Sequence, residues 1–210
     1  MPKPRDSSTG KPRAGGVVSR EDWVEHAYSV FITEGISALT VEGLAQRLSI
    51  SKGSFYWHFK NRRDLVTAVL DQWERLATDA VIEASNASGP SGEHRLEALF
   101  RRLAAEDDAR PSEQSLYSAG NEPAVQAVLE RVTERRIGYV AELLGVCGFD
   151  KDEARRRAVL SLSILLGLRQ LSVAAPACLP SGDRQGLWLS ALQMALGADR
   201  FPPKSTGLGG

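Results

Sequence analysis

Cysteine is scarce in this chain. The only two, Cys147 and Cys178, lie far apart with no metal-type spacing, so the expected state is two reduced thiols packed as small apolar groups rather than a disulfide. Histidine is almost as rare. Neither His26 nor His94 belongs to a set of Cys, His and acidic residues sufficient to hold a metal, which leaves no expected metal site. Ser54 and His58 stand at helical contact spacing, but no carboxylate is placed to orient the imidazole; no catalytic residue is named and no cofactor is expected. No segment alternates apolar and polar residues convincingly enough to read as a strand, so the fold class is all-α. The positive opening residues are followed by no apolar stretch of the kind a secretory signal needs, and the expected location is the cytoplasm.

A net charge is also lacking, since 26 basic residues balance 26 acidic ones. The distribution is uneven, however. Residues 1–63 hold ten Lys or Arg against six Asp or Glu, giving +4, and the remainder carries −4. Only the face that meets phosphate needs to be positive, so a neutral total excludes no nucleic-acid partner. With 42% apolar and 25% charged residues, the composition is that of a globular protein and argues against disorder of the whole chain.

Pro, Gly, Ser and basic residues dominate positions 1–18, which read as a flexible basic arm whose Lys3, Lys11 and Arg13 are within the chemistry of DNA contact. Ser19 and Asp22 form a helix-start signal, and Trp23, Ala27, Val30 and Phe31 recur at helical spacing up to Gly35. Thr40 caps a second helix to about Leu48, with Val41, Leu44, Ala45 and Leu48 on one face. After Ser49-Ile50-Ser51 comes a third helix, Lys52 to about Phe59. So short a turn sets the two helices at a steep angle with Ile50 plugging the corner. Asn61 caps a fourth helix running to about Ala87, whose apolar face is read as Leu65, Val69, Trp73, Leu76 and Ala80. Further helices are predicted around Leu96–Leu103 and over Ser112–Ser118, Pro123–Leu144, Lys151–Ala174 and Ser181–Ala198.

The segment TVEGLAQRLSISKGSFYWHFK, residues 40–60, carries the functional signal. It combines a supporting helix, a tight corner and a short helix rich in small, basic and aromatic residues, which is what reading a DNA major groove requires. Lys52 and Gly53 sit in the first turn of that helix, where unpaired N–H groups and a bare backbone can approach phosphate. Ser54 and Tyr56 face the groove or its walls, and Phe55 and Phe59 point the other way to lock the helix down.

The run SKGSFYWHFKNRRDL, at this distance from the N-terminus, resembles the TetR family of bacterial regulators, specifically over residues 19–73. The resemblance implies a helix-turn-helix DNA-binding domain (19–64), a larger helical ligand-binding and dimerisation domain (65–200) and a flexible tail (201–210). It implies that Thr40, Ser51 and Lys52 contact phosphate, that Gly53 and Ser54 lie near base edges, and that Tyr56, Trp57, His58 and Lys60 clamp one strand's backbone. Trp57 departs from the expected Tyr or His, which leaves it either a single indole N–H for phosphate or a packing role.

The stretch AVLSLSILLGLRQLSVAA, residues 158–175, is apolar enough to raise a membrane span, but Ser161, Ser163, Arg169 and Gln170 argue against one. A helix that meets a partner subunit explains it equally well, as it does the last helix with Leu187, Trp188, Leu189, Leu192, Met194 and Leu196. The resemblance implies that these two helices form a four-helix homodimer interface. It also implies a small apolar or amphipathic effector between the middle helices, for which Trp73, Phe100, Leu103, Tyr117, Tyr139 and Gln170, with Arg169, are the candidate pocket residues. The functional expectation is a ligand-released homodimeric repressor on a palindromic double-stranded operator, not an enzyme and not in a membrane. The alternatives are a helical enzyme or small-molecule carrier whose N-terminal unit is structural, and a helical protein that binds another regulator instead of DNA.

Overall fold

The computed structural model describes residues 18–105, 111–119, 122–180 and 184–197. The expected arm, apart from Val18, and the expected tail lie outside them. Every described regular element is a helix, in the expected order of a small N-terminal helix-turn-helix unit followed by a larger helical body.

Local chemistry sets the first boundaries. Helix α1 (Arg20–Glu34) starts in a capping box: the Ser19 hydroxyl accepts the Asp22 N–H at 3.1 Å, and the Asp22 carboxylate accepts the Ser19 N–H at 2.8 Å. It stops at Gly35, whose φ of +86° favours glycine and whose N–H bonds back to the Phe31 carbonyl. A side chain there would also collide with Ser115, 2.8 Å from where its Cβ would stand. Thr40 caps α2 (Val41–Arg47) by accepting the Gly43 N–H, and Asn61 caps α4 (Arg62–Glu74) by accepting the Asp64 N–H, both at 3.1 Å. Between α2 and α3 (Lys52–His58), Ser49 takes a left-handed φ of +57°, and Ile50 packs half-buried against the core.

Beyond α4 the chain stays helical but changes pitch. Residues Arg75–Asp79 form a π-helical turn before α5 (Ala80–Ala87). That turn holds an extra residue, so the buried face shifts by one position. Leu65, Val69 and Trp73 are buried as the 3.6-residue period requires, but Leu76, expected on the same face, is 50% exposed, and Thr78, Val81 and Ser85 turn inward instead. Ala80, also expected on that face, is only half-buried.

The body continues with α6 (Gly92–Ala105), α7 (Pro111–Ser118), α8 (Pro123–Val146), α9 (Lys151–Ala174) and α10 (Arg184–Leu196). Proline opens α8, where its missing N–H costs nothing, and the Asp150 carboxylate caps α9 by accepting the Asp152 and Glu153 N–H groups. Helix α8 packs along α9, and α10 packs on α6 and α9. By length and composition α9 is also the one described helix apolar enough to cross a membrane, although it packs here as part of the bundle.

Buried apolar side chains form two clusters. The first centres on Trp23, Phe31, Leu44, Phe55, Leu65 and Trp73, and takes in Leu116 of α7 and Val125, Val128 and Val132 of α8. The helix-turn-helix unit is therefore seated on the body through a shared core. The second cluster lies between α5, α6, α8, α9 and α10 and includes Val81, Leu96, Phe100, Leu143, Leu165 and Leu192.

Candidate nucleic-acid interface

One face of α3 is anchored and the other is bare. Phe55 is fully buried, edge-on to Trp23 at 5.4 Å between ring centroids and stacked on Phe59 at 5.2 Å. With that side fixed, the helical period turns Lys52, Gly53, Tyr56 and Trp57 outward. Tyr56 is 63% and Trp57 87% exposed, large apolar areas to leave in water on a helix of seven residues.

Thr40, Ser51 and Lys60 are exposed, and Ser54 is half-buried. The Ser51 hydroxyl, at the cap of α3, makes no capping bond. Lys52 pairs with Glu42 at 2.5 Å, which holds the Glu42 carboxyl below its usual value through that hydrogen bond. Both partners are more than half exposed, so the pair contributes little stability and exchanges readily for a phosphate. The arrangement brings Thr40, Ser51, Lys52, Gly53, Ser54, Tyr56 and Trp57 to the outer side of one helix-turn-helix.

His58 is placed differently. Its Nε2 lies 2.9 Å from the Val18 carbonyl, and a carbonyl only accepts, so the bond requires a proton on Nε2. The imidazole therefore ties the segment preceding α1 to the end of α3. Arg62 is a residue that sequence reasoning missed: its Nε donates to the Leu39 carbonyl at 2.6 Å and its Nη2 to the Ile36 carbonyl at 3.1 Å, fastening the α1–α2 connection to α4. An arginine in the first turn of a helix gives no sequence signal for this, since it reads as a solvated charge.

Gly53 separates folding from recognition. A Cβ there would meet nothing closer than the Ser51 hydroxyl at 3.6 Å, an ordinary contact, and its φ is not left-handed. A Gly53→Ala chain is expected to fold as well or better, by up to about 1 kcal/mol. Its affinity for DNA is expected to fall by roughly 1–3 kcal/mol, the worth of a close base contact. Thermal unfolding and a DNA titration on the same sample check the two halves; unchanged affinity would show that the α3 backbone does not approach the duplex closely.

Behind this unit the body contains a cavity of about 70 Å³. Phe100 and Leu103 of α6 and Tyr139 of α8 line it, and the Tyr139 hydroxyl donates to Asn86 Oδ1 at 3.0 Å. Tyr117 and Gln170 lie instead in an adjoining surface groove. Trp73 lies on neither wall; it is buried in the first cluster.

The polar wall is a triad that the sequence did not reveal apart from Arg169. Glu113 of α7 is paired with Arg136 of α8 at 2.9 Å and with Arg169 of α9. Burial alone pushes the Glu113 carboxyl up, but attraction and hydrogen bonds from the two guanidiniums outweigh it, and the net shift is downward. Arg136 also donates to the Thr78 hydroxyl at 3.1 Å and to the Ala77 carbonyl at 3.2 Å, both in the π turn, and lies over the Trp73 ring at 5.3 Å. One side chain thus touches the cavity, the irregular turn and the core beneath the exposed helix.

Residues 24–69 match the family described as bacterial regulatory proteins, tetR family. The HTH-type transcriptional regulator SrpR of Pseudomonas putida is 30% identical over 60 residues, 29% of this chain and 28% of SrpR. The tetracycline repressor protein class D of Escherichia coli is 38% identical over 52 residues, 25% of this chain and 24% of that protein. The matches thus span about a quarter of the length of these two relatives. In fold the likeness extends much further. SCO4454, a TetR-family transcriptional regulator from Streptomyces coelicolor, superposes with a TM-score of 0.66 at 20% identity, covering 90% of this chain and 91% of that one. The transcriptional regulator RHA1_ro04179 from Rhodococcus sp. Rha1 does so with 0.69 at 19% identity, covering 85% and 96%. Residues 24–69 thus carry the domain of the TetR family of bacterial regulatory proteins, and most of the chain shares its fold with solved structures of that family.

Proposed function

We propose that the protein is a sequence-specific DNA-binding transcriptional regulator, a homodimeric repressor released from a palindromic operator by a small molecule. The observation that carries this reading is the outer face of α3, where Tyr56, Trp57, Lys52 and Gly53 stand in solvent on a helix pinned from behind by Phe55 and Phe59. Thr40, Ser51 and Lys52 bind phosphate, Gly53 and Ser54 approach base edges, and Tyr56, Trp57 and Lys60 brace one strand. His58 acts through Val18, the last residue of the arm, which it holds beside the helix.

A second copy of the chain covers the apolar residues left exposed on α9 and α10, among them Leu160, Leu171, Val173, Leu189 and Met194. A two-fold axis there presents two α3 helices to successive major grooves, about 34 Å apart. The cavity holds the effector. Its ligand shifts the dimer towards a spacing that no longer fits DNA, to the extent that it binds that state more tightly. Arg136 is the connecting part, because any ligand that rearranges the triad also disturbs the π turn and the Trp73 ring.

Selection from random duplex DNA with the purified protein, followed by titrations across a salt series, tests the reading. The expected result is an inverted repeat whose affinity falls steeply with salt. Recovery of no repeat by ligand-stripped protein would overturn it.

A further inference from the structure

The cavity carries more positive charge than its own residues neutralise. Among the described residues, its wall contains one carboxylate, Glu113, and two guanidiniums, Arg136 and Arg169, with side chains only 7%, 14% and 15% exposed. Glu113 is held ionised by those neighbours, so the triad has a net charge of +1. Arg136 is fully committed to Glu113, Thr78 and Ala77. Arg169 is not: among the described residues only its Nη1 is engaged, on Glu113. It also sits where the cavity meets the outer groove, which it lines together with Glu113. Most of the remaining wall is apolar, with Val81, Ile82, Leu99, Phe100, Leu162 and Leu165.

A charge taken out of water is costly until something of opposite sign meets it. A neutral ligand leaves the surplus in place, and a cationic one adds to it and must compete for a carboxylate already held by two arginines. A carboxylate cancels it, and the planar guanidinium edge suits two-pronged binding. We propose that the effector is an amphipathic monoanion, an apolar body ending in a carboxylate, with its head on the unengaged edge of Arg169 and its body against Phe100, Leu162 and Leu165. This assignment rests on reading the cavity as the effector site.

The test uses the full chain and two bodies of different shape, octanoate and 3-phenylpropionate, against their amides and octylammonium, with calorimetry as the readout. At least one acid is expected to bind about tenfold or more tightly than its amide, the worth of one charge-assisted pair. Arg169→Gln, which leaves Glu113 paired with Arg136, is expected to abolish that preference, and Arg169→Lys to keep most of it. Thermal unfolding verifies that both variants are folded. Equal or tighter binding of the amides or octylammonium, or no binding of any probe at millimolar concentration, overturns the proposal, as does an acid preference that survives Arg169→Gln. Operator affinity measured with and without the bound acid is a separate readout: an acid that binds through Arg169 without loosening DNA upholds the ligand class and refutes the release mechanism.

Discussion

Replacing Arg136 with alanine is expected to destabilise the protein by about 3–5 kcal/mol, the usual cost of removing one partner from a buried ion pair. The loss has several parts. Glu113 keeps only Arg169, the Ala77 carbonyl and Thr78 hydroxyl lose a donor, and the Trp73 ring loses the cation above it. The neighbouring residue provides the comparison. Arg135 pairs with Asp79 at 2.8 Å but is half exposed, so Arg135→Ala is expected to cost less than about 1 kcal/mol. Urea unfolding of the two variants beside the parent chain decides the matter, and equal effects would refute the structural role given to the triad. The same triad makes stability depend on acid. The Glu113 carboxyl titrates below its ordinary 4.5 in the folded chain, so its contribution is complete above that value and is lost as the pH drops through the lowered one.

The second large effect concerns assembly. Leu160 is 61% exposed on α9, so Leu160→Asp is expected to leave the protomer folded while placing two like charges at the proposed two-fold contact. Sedimentation should then show a monomer. Operator affinity is expected to drop about 10²–10⁴-fold, because each half-site must be found without the benefit of its tethered neighbour. A variant that remains dimeric would place the interface elsewhere.

Much of the fold was legible because its signals are local. Ser19 with Asp22, Thr40 and Asn61 announce their helices through side chains that reach only three residues along the chain, and each makes the bond expected of it. The third helix was legible for the same reason, since Phe55 and Phe59 are four apart and both buried. What failed was extrapolation. The period that correctly buries Leu65, Val69 and Trp73 continues on paper to Leu76, but the π turn interrupts it, and nothing in Arg75-Leu76-Ala77-Thr78-Asp79 signals the change. The charged wall of the cavity was hidden differently. Glu113 lies 23 residues from Arg136 and 56 from Arg169, and only tertiary packing distinguishes these groups from the solvated charges around them. Aromatic residues suggested the pocket in sequence, yet Trp73 supports the core beneath Arg136 and Tyr117 faces the groove.

The irregular turn at Arg75–Asp79 also limits how this protein can be recombined with its relatives. Each residue of an α-helix advances the chain by about 100° around the axis, so a helix with one residue extra is out of phase with a regular one from that point onward. A hybrid joining this helix-turn-helix unit to a relative's helical body preserves the facing of both halves only if the donor has the same irregularity or the splice retains all five residues. Joined one residue short, the face of α4 that carries Trp73 would be turned away from the cavity wall to which Arg136 links it.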